Sequence, residues 1–306
     1  MLAFLIRRTL SSLVTLFFIL TLIFFVLRLA PGGPFDGDRV WPAEIQKNIE
    51  LKYGLDLPIP RQYFAWASSV LKGDLKESFQ YLGRPVTEII RDAIGVSAVI
   101  GAWALMIALS LGIPLGAASA WSRGTRFDRA AVFLSMVGVS LPNYLLAGVL
   151  ILVFSLRLGW LPPALWDEPA SAVLPALTLA IRPASMILRL TRASVLETLR
   201  QDFIRTARAK GASEPRVLFV HGLRASLIPV VTLLGPIVAA LVTGSFVVEL
   251  IFQIPGLGKH FVGAIVNRDY PLAMGLTLTY GTILLTSNLL VDLAYGWLDP
   301  RVRQWD

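Results

Sequence analysis

Few side chains in this sequence are equipped for covalent or metal chemistry. Cysteine is absent, which removes disulfides, thiolate metal sites and thiol nucleophiles. His221 and His260 are the only histidines, too few for a multi-histidine metal centre. No G-x-x-x-x-G-K-[ST] phosphate loop occurs, and GLGKH at Gly256–His260 is too short for one. An enzyme working inside a membrane would need a serine–histidine pair or paired aspartates within its apolar runs. Here both histidines fall in connecting segments, and Asp292 is the only aspartate inside such a run.

What remains is a basic segment and a handful of polar groups among apolar ones. From Ser194 to Lys210 the spacing predicts a helix, with Leu196, Leu199, Phe203 and Ala207 on one stripe and Arg200, Arg205 and Arg208 around it. Thr206 and Lys210 complete its last turns. Gly211 fits the helix end, Ser213 can cap a second helix, and Pro215 suits that helix's first turn. Val217, Leu218 and Leu223 continue as a second apolar face. Such a hairpin is either a rigid knob for a soluble partner or an amphipathic hairpin lying on anionic headgroups. Arg182, followed by Pro183, sits in the middle of an apolar run, where a charge costs several kcal/mol unless it meets water or a partner. Its possible roles are lining a pathway together with Pro142 and Asn143, pairing with another subunit, or snorkelling. Glu249 and Asp292, nearer the ends of runs, are expected to cap or pair.

The elements that carry these residues follow from composition. Of the 306 residues 55% are hydrophobic and 16% charged, where soluble domains have about a quarter charged. Six runs approach the ~20 residues that cross a hydrocarbon core: Thr9–Leu29, Ile94–Ala120, Ala131–Leu156, Ala170–Leu190, Leu227–Phe252 and Leu272–Leu298. The first is too long for a signal peptide and reads as an uncleaved span. Pro114, Pro142, Pro175 and Pro236 inside runs predict kinks. Gly112 and Gly116 form a G-x-x-x-G that permits close packing. Trp103, Trp121, Trp160, Trp166 and Trp297 suit interfacial anchoring.

The net charge of +8 is a matter of placement. With the N-terminus in the cytoplasm, the inner segments hold most of the arginines, eight Lys/Arg lying between Arg189 and Arg224 alone, while the short outer loops hold Arg157, Lys259 and Arg268. Both termini are then cytoplasmic, and the charge orients the chain rather than binding nucleic acid. In the outer segment 30–93, Pro42–Gly54 and Pro58–Gly73 each read as a helix opened by proline and closed by glycine.

The run FIRTARAKGASEPRVLFVHGLRASLIPV, Phe203–Val230, resembles the coupling loop of permease subunits of ABC importers, in the dipeptide/oligopeptide/nickel branch. Aligning the motif glycine on Gly211 sets Arg205 and Thr206 at the motif's first two positions, where the general pattern has Glu and Ala, with Ala207 matching the third. His221 and Arg224 also depart from the pattern, so no contact of the motif glutamate carries over. RLAPGGPFDG at Arg28–Gly37, YGLDLPIPRQYF at Tyr53–Phe64, SLPNYLLAG at Ser140–Gly148, PGLGKHFV at Pro255–Val262, NRDYP at Asn267–Pro271 and VDLAYGWLDPRVR at Val291–Arg303 extend the likeness over nearly the whole chain. Its opening loop is most similar to the B subunits of oligopeptide permeases.

The resemblance implies an all-α integral membrane protein of the type I ABC importer permease fold, a single transmembrane domain over 1–306 in the bacterial cytoplasmic membrane. It implies a non-catalytic transport subunit forming half of a pathway for peptides, or alternatively nickel or another small solute. The implied partners are a sister permease, two cytoplasmic ATPase subunits and an extracytoplasmic peptide-binding protein. Mg-ATP would be bound on the ATPases, with no cofactor on this chain. The implied docking surface for the ATPases is Arg200, Phe203, Arg205, Thr206, Ala207, Lys210, Gly211, Ser213 and Pro215, within a coupling loop spanning 191–226.

Overall fold

The structure, a computed structural model, describes residues 2–30, 33 and 43–298. Pro42, Arg301, Arg303 and part of the Arg28–Gly37 and Val291–Arg303 blocks lie outside the described residues, as does the side chain of Trp297. Among the described residues the regular structure is helical, with one isolated antiparallel bridge between Glu77 and Pro85. The helices are α1 (Leu2–Leu29), α2 (Ala43–Tyr53), α3 (Ile59–Leu71), α4 (Val86–Trp121), α5 (Arg126–Ser140), α6 (Asn143–Leu150), α7 (Val173–Thr198) and α8 (Asp202–Ala209). There follow α9 (Glu214–Arg216), α10 (Leu223–Ser226), α11 (Ile228–Val242), α12 (Phe246–Ile251), α13 (Leu257–Val266) and α14 (Tyr270–Leu298).

Five helices or joined helix pairs are long and apolar enough to cross a membrane: Ile6–Leu29, Val86–Trp121, Pro169–Thr198, Ile228–Ile251 and Tyr270–Leu293. A bent pair, Arg126–Ser140 and Asn143–Arg157, turns through 108° and, counted as one span, makes six crossings, of which it is the third in chain order. Pro142 supplies the cause: it lacks an N–H for the Gly138 carbonyl, and its ring disfavours helix for Leu141, which is extended at ψ 125°. The expected kinks at Pro114 and Pro236 do not interrupt their helices, and Pro175 falls in the first turn of α7. The break in the fifth crossing falls instead at Gly244, with φ +79°.

Alternating directions are legible in the contacts. Leu16 of α1 meets Gly281 of α14, and Arg8 Nε lies 2.6 Å from Asp292 Oδ2, so the first and last spans run antiparallel. Gly112 and Gly116 lie against Ala184–Ile187 and Leu188–Thr191, so α4 and α7 run parallel in close contact. A methyl at Gly112 would fall 2.8 Å from the Ala184 carbonyl oxygen, which explains the G-x-x-x-G as packing within the chain. α11 packs between α4 and α14, with Gly101 against Leu241 and Gly235 against Asn288. The core is the α4–α7 seam, closed on one side by α5 and on the other by α11.

The two helices expected between α1 and α4 form as α2 and α3, each followed by a left-handed glycine, Gly54 and Gly73. One connection of this segment to the bundle is Asp269, fully buried, whose carboxylate accepts from Ser78 Oγ and from the backbone N–H groups of Gln80 and Leu272. An anion at the start of α14 also suits the positive end of that helix. Glu249 does the same for α13: buried, it accepts from Ser97 Oγ at 2.9 Å and Lys259 N–H at 2.8 Å. It is a cap, as its position near a run's end suggested.

Candidate functional site: the arginine-rich elbow and the break in the third crossing

The basic segment emerges where α4 ends, α5 begins, α7 ends and α11 begins. It is an elbow, and it departs from the helix expected over Ser194–Lys210. α7 stops at Thr198; Arg200 N–H and Gln201 N–H close tight turns on Glu197 and Thr198, and the chain restarts as α8 from extended Gln201. The reason is burial. Val195 packs with Ala120 and Leu218, joined by Leu196, Leu199 and Leu223, whereas Ile204 of α8 is fully buried against the segment that follows. A straight helix could not turn both faces inward.

This alters the expected apolar stripe. Leu196 and Leu199 are half-buried, Ala207 is half-buried, and Phe203 is exposed. Ile204 is the anchor that periodicity alone did not single out. Arg200, Arg205, Thr206, Lys210, Gly211, Ser213 and Pro215 are all exposed, so with Phe203 they form one solvent-facing surface around a small helix. Gly211 adopts φ +83°, and the Gly211 and Ala212 N–H groups bond back to Arg208 and Ala207, the capping arrangement expected of a C-terminal glycine. Ser213 occupies the cap position of α9 but its side chain makes no capping bond, a correction to its expected role; Pro215 is in the first turn as expected. Arg208 bridges the turn to Glu214 at 2.7 and 3.1 Å, and that guanidinium holds the Glu214 carboxyl below the usual carboxylate range. The second strand of the elbow is wider than an α-helix, a π segment over Val217–Gly222 between α9 and α10, with Val217 and Leu218 buried.

Beneath the elbow sits a buried ion pair. Arg192 of α7 grips Asp128 of α5 with two bonds of 2.7 and 2.9 Å, and Asp128 also accepts from Ser119 Oγ of α4 at 2.6 Å and Gly124 N–H at 2.8 Å. One carboxylate thereby ties three helices. The sequence held a signal for it: Thr125-x-x-Asp128 is a capping pattern, and the Thr125 side chain accepts from Asp128 N–H.

Arg182 lies exposed on α7, in a stripe with Met186, Arg189, Ala193 and Glu197, while most of that helix is buried. The end of α5 is at its level, because Gly138 abuts Ile181 and Ser185. Just beyond it come Pro142, exposed, and Asn143, half-buried. A helix end and a cation thus occur at the same depth of the bundle, the arrangement by which broken helices make polar sites in membranes.

Residues 112–304 match the family described as binding-protein-dependent transport system inner membrane component, and residues 1–99 match the N-terminal region of such membrane components. The chain is 41% identical over 305 residues to the oligopeptide transport system permease protein OppB of Haemophilus influenzae, covering 99% of this chain and 100% of that protein. It is 40% identical over 305 residues to OppB of Salmonella typhimurium, with the same coverage. It is 42% identical over 300 residues to the dipeptide transport system permease protein DppB of Bacillus subtilis, covering 98% of this chain and 97% of that one.

Proposed function

Because the chain belongs to the binding-protein-dependent transport system inner membrane components, we propose that it forms half of a translocation pathway through which an ATP-driven importer takes up peptides. Peptide is preferred as cargo because the similar proteins carry oligopeptide and dipeptide permease names over their full lengths. No observation favours nickel or another small solute. The arginine distribution supports both termini and the elbow on the cytoplasmic side. In this reading a sister permease completes the pathway, two ATPase subunits bind Mg-ATP and grip the elbows, and an extracytoplasmic binding protein delivers cargo. The chain itself transmits motion and lines the path.

The observation that carries the reading is the build of the elbow. A lever needs a stiff arm and a free gripping face. Ile204, Leu218, Val195 and the Asp128–Arg192 pair supply the arm. Arg200, Phe203, Arg205, Thr206, Ala207, Lys210, Gly211, Ser213 and Pro215 supply the face. An ATPase closing on that face would move α7 and α11, which the elbow joins, as a rigid body, and the spans would tilt between outward-open and inward-open states.

Arg182 belongs to the path in this reading. An exposed cation mid-span is tolerated only beside water, protein or another charge, and its stripe bears Arg189 and Glu197. With Pro142 and Asn143 it would form a polar wall able to meet a peptide carboxylate.

Gly211→Pro tests the lever. Proline cannot take φ +83° and removes the N–H that closes on Arg208, so the elbow tip would be rebuilt. In the reconstituted transporter, stimulation of ATP hydrolysis by the loaded binding protein is expected to fall at least tenfold while the ATPases keep their basal rate. Undiminished stimulation would remove the elbow from the coupling path.

A further inference from the structure

The helix α3 has a side with no partner among the described residues, and its depth relative to the bilayer can be worked out. Arg8 and Arg28 bracket the apolar stretch of α1; twenty residues of helix between them span about 30 Å, the thickness of the hydrocarbon core. Tyr63 of α3 hydrogen-bonds through its hydroxyl to Thr21 Oγ1 at 2.8 Å, and Thr21 lies about 10 Å inside the Arg28 boundary. Phe24 packs edge-on against Tyr63 at 5.1 Å and tilted against Trp66 at 5.5 Å, while Phe25 stacks on Tyr63 at 5.7 Å. These rings lie about 5–6 Å inside the same boundary. Arg28 is held at the boundary itself, its Nε bonded to Gln62 Oε1 at 2.8 Å and its guanidinium 3.5 Å over the Phe24 ring. The inward face of α3 therefore touches α1 below the level at which water begins.

The other face carries Phe64 and Leu71, 71% and 89% exposed, seven residues apart and hence on one side of the helix. Arg61 and Lys72 stand near its ends, exposed. On α1 the residues that hold α3 are Thr21, Phe24, Phe25 and Arg28, and the neighbouring stripe Phe18, Leu22, Val26 and Leu29 is exposed along its length. The outward face of α3 continues that exposed apolar surface rather than turning away from it.

We infer that α3 is an interfacial anchor, lying at the boundary between acyl chains and headgroups in the leaflet opposite the arginine-rich elbow, with Phe64 and Leu71 in lipid. Its occupant is phospholipid: acyl chains against the two apolar side chains, headgroup phosphates near Arg61 and Lys72. The depth is that of amphipathic helices which bury one face about 5–10 Å into the interface. Tyr63 and Trp66 serve as the aromatic belt of this anchor. The anchor fixes the angle at which the α2–α3 segment leaves α1 and so the height at which that segment stands over the bundle.

The absence of cysteine makes the test direct. Phe64→Cys, Leu71→Cys and Ser68→Cys, the last exposed between them, would each carry a nitroxide in the assembled transporter in nanodiscs, with cysteines of the other subunits removed. Asp56→Cys, exposed ahead of α3, is the aqueous reference. Collision with oxygen is expected to exceed collision with a water-soluble nickel chelate at the three α3 positions, and the reverse at the reference. Nickel access at Phe64→Cys and Leu71→Cys equal to that at the reference would overturn the inference. So would shielding from both probes, which would mean a protein partner covers the face.

Discussion

Asp128 is the carboxylate on which the base of the elbow depends. It is 3% exposed, and Arg192 is its only cationic partner among the described residues. Removing Arg192 leaves the buried Asp128 carboxylate unpaired, at a cost of about 3 kcal/mol, whereas Arg192, a quarter exposed, can turn to water when Asp128 is removed. Arg192→Ala is expected to lower stability by about 3 kcal/mol, Asp128→Ala by less, and the double variant by less than their sum. Unfolding of purified protein in detergent would measure the cycle; additive losses would mean the pair is incidental. Arg182→Cys, in a chain with no other thiol, is expected to react with a charged, water-soluble thiol reagent in the assembled transporter, and to do so differently with and without trapped nucleotide. Phe133→Cys, on the exposed apolar side of α5, is expected to lie in lipid and stay unreactive. Inertness of Arg182→Cys in every state would exclude it from the path. The sequence revealed Gly211 and Pro215 through strong local rules of backbone geometry. It did not reveal Ile204 as the buried anchor, because Phe203 next to it fits the apolar period equally well and only tertiary packing chooses between them.

At the scale of elements, the α4–α7 seam depends on the absence of side chains at two positions. Gly112→Leu would push carbon into the Ala184 carbonyl and the Ile187 side chain, and overpacking of this kind costs about 1–3 kcal/mol or more. The expected result is a lowered unfolding midpoint and less assembled complex; an unchanged midpoint would show the seam to be looser than its geometry implies. Spans were legible because hydrocarbon thickness fixes their length and composition. Their interruptions were less so. Pro142 signals a bend, but not one of 108°, which depends on how α6 packs on α7 and α12. Pro114 carries the same local signal without interrupting its helix, α4 being packed against α7 and α11. The turn over Leu199–Gln201 has neither glycine nor proline, so no local rule marks it; it exists because Val195 and Ile204 must both be buried.

At the scale of the molecule, the chain is a permease of an importer, built of parallel and antiparallel spans with polar ties at both ends. Buried carboxylates cap α13 and α14 on one side, and the Asp128–Arg192 pair closes the other. Between these ties the α7 stripe with Arg182 and the break at Pro142 form the polar wall proposed for the path. Motion imposed on the elbow would reach that wall through α7, which is helical from Val173 to Thr198 with Pro183 inside it. The most direct test is a short bifunctional cross-link from Thr206→Cys, on the exposed face of α8, in the fully assembled transporter. The product expected is an adduct with an ATPase subunit whose yield changes when nucleotide is bound. An adduct with lipid alone, or none with the ATPase in any nucleotide state, would contradict the lever.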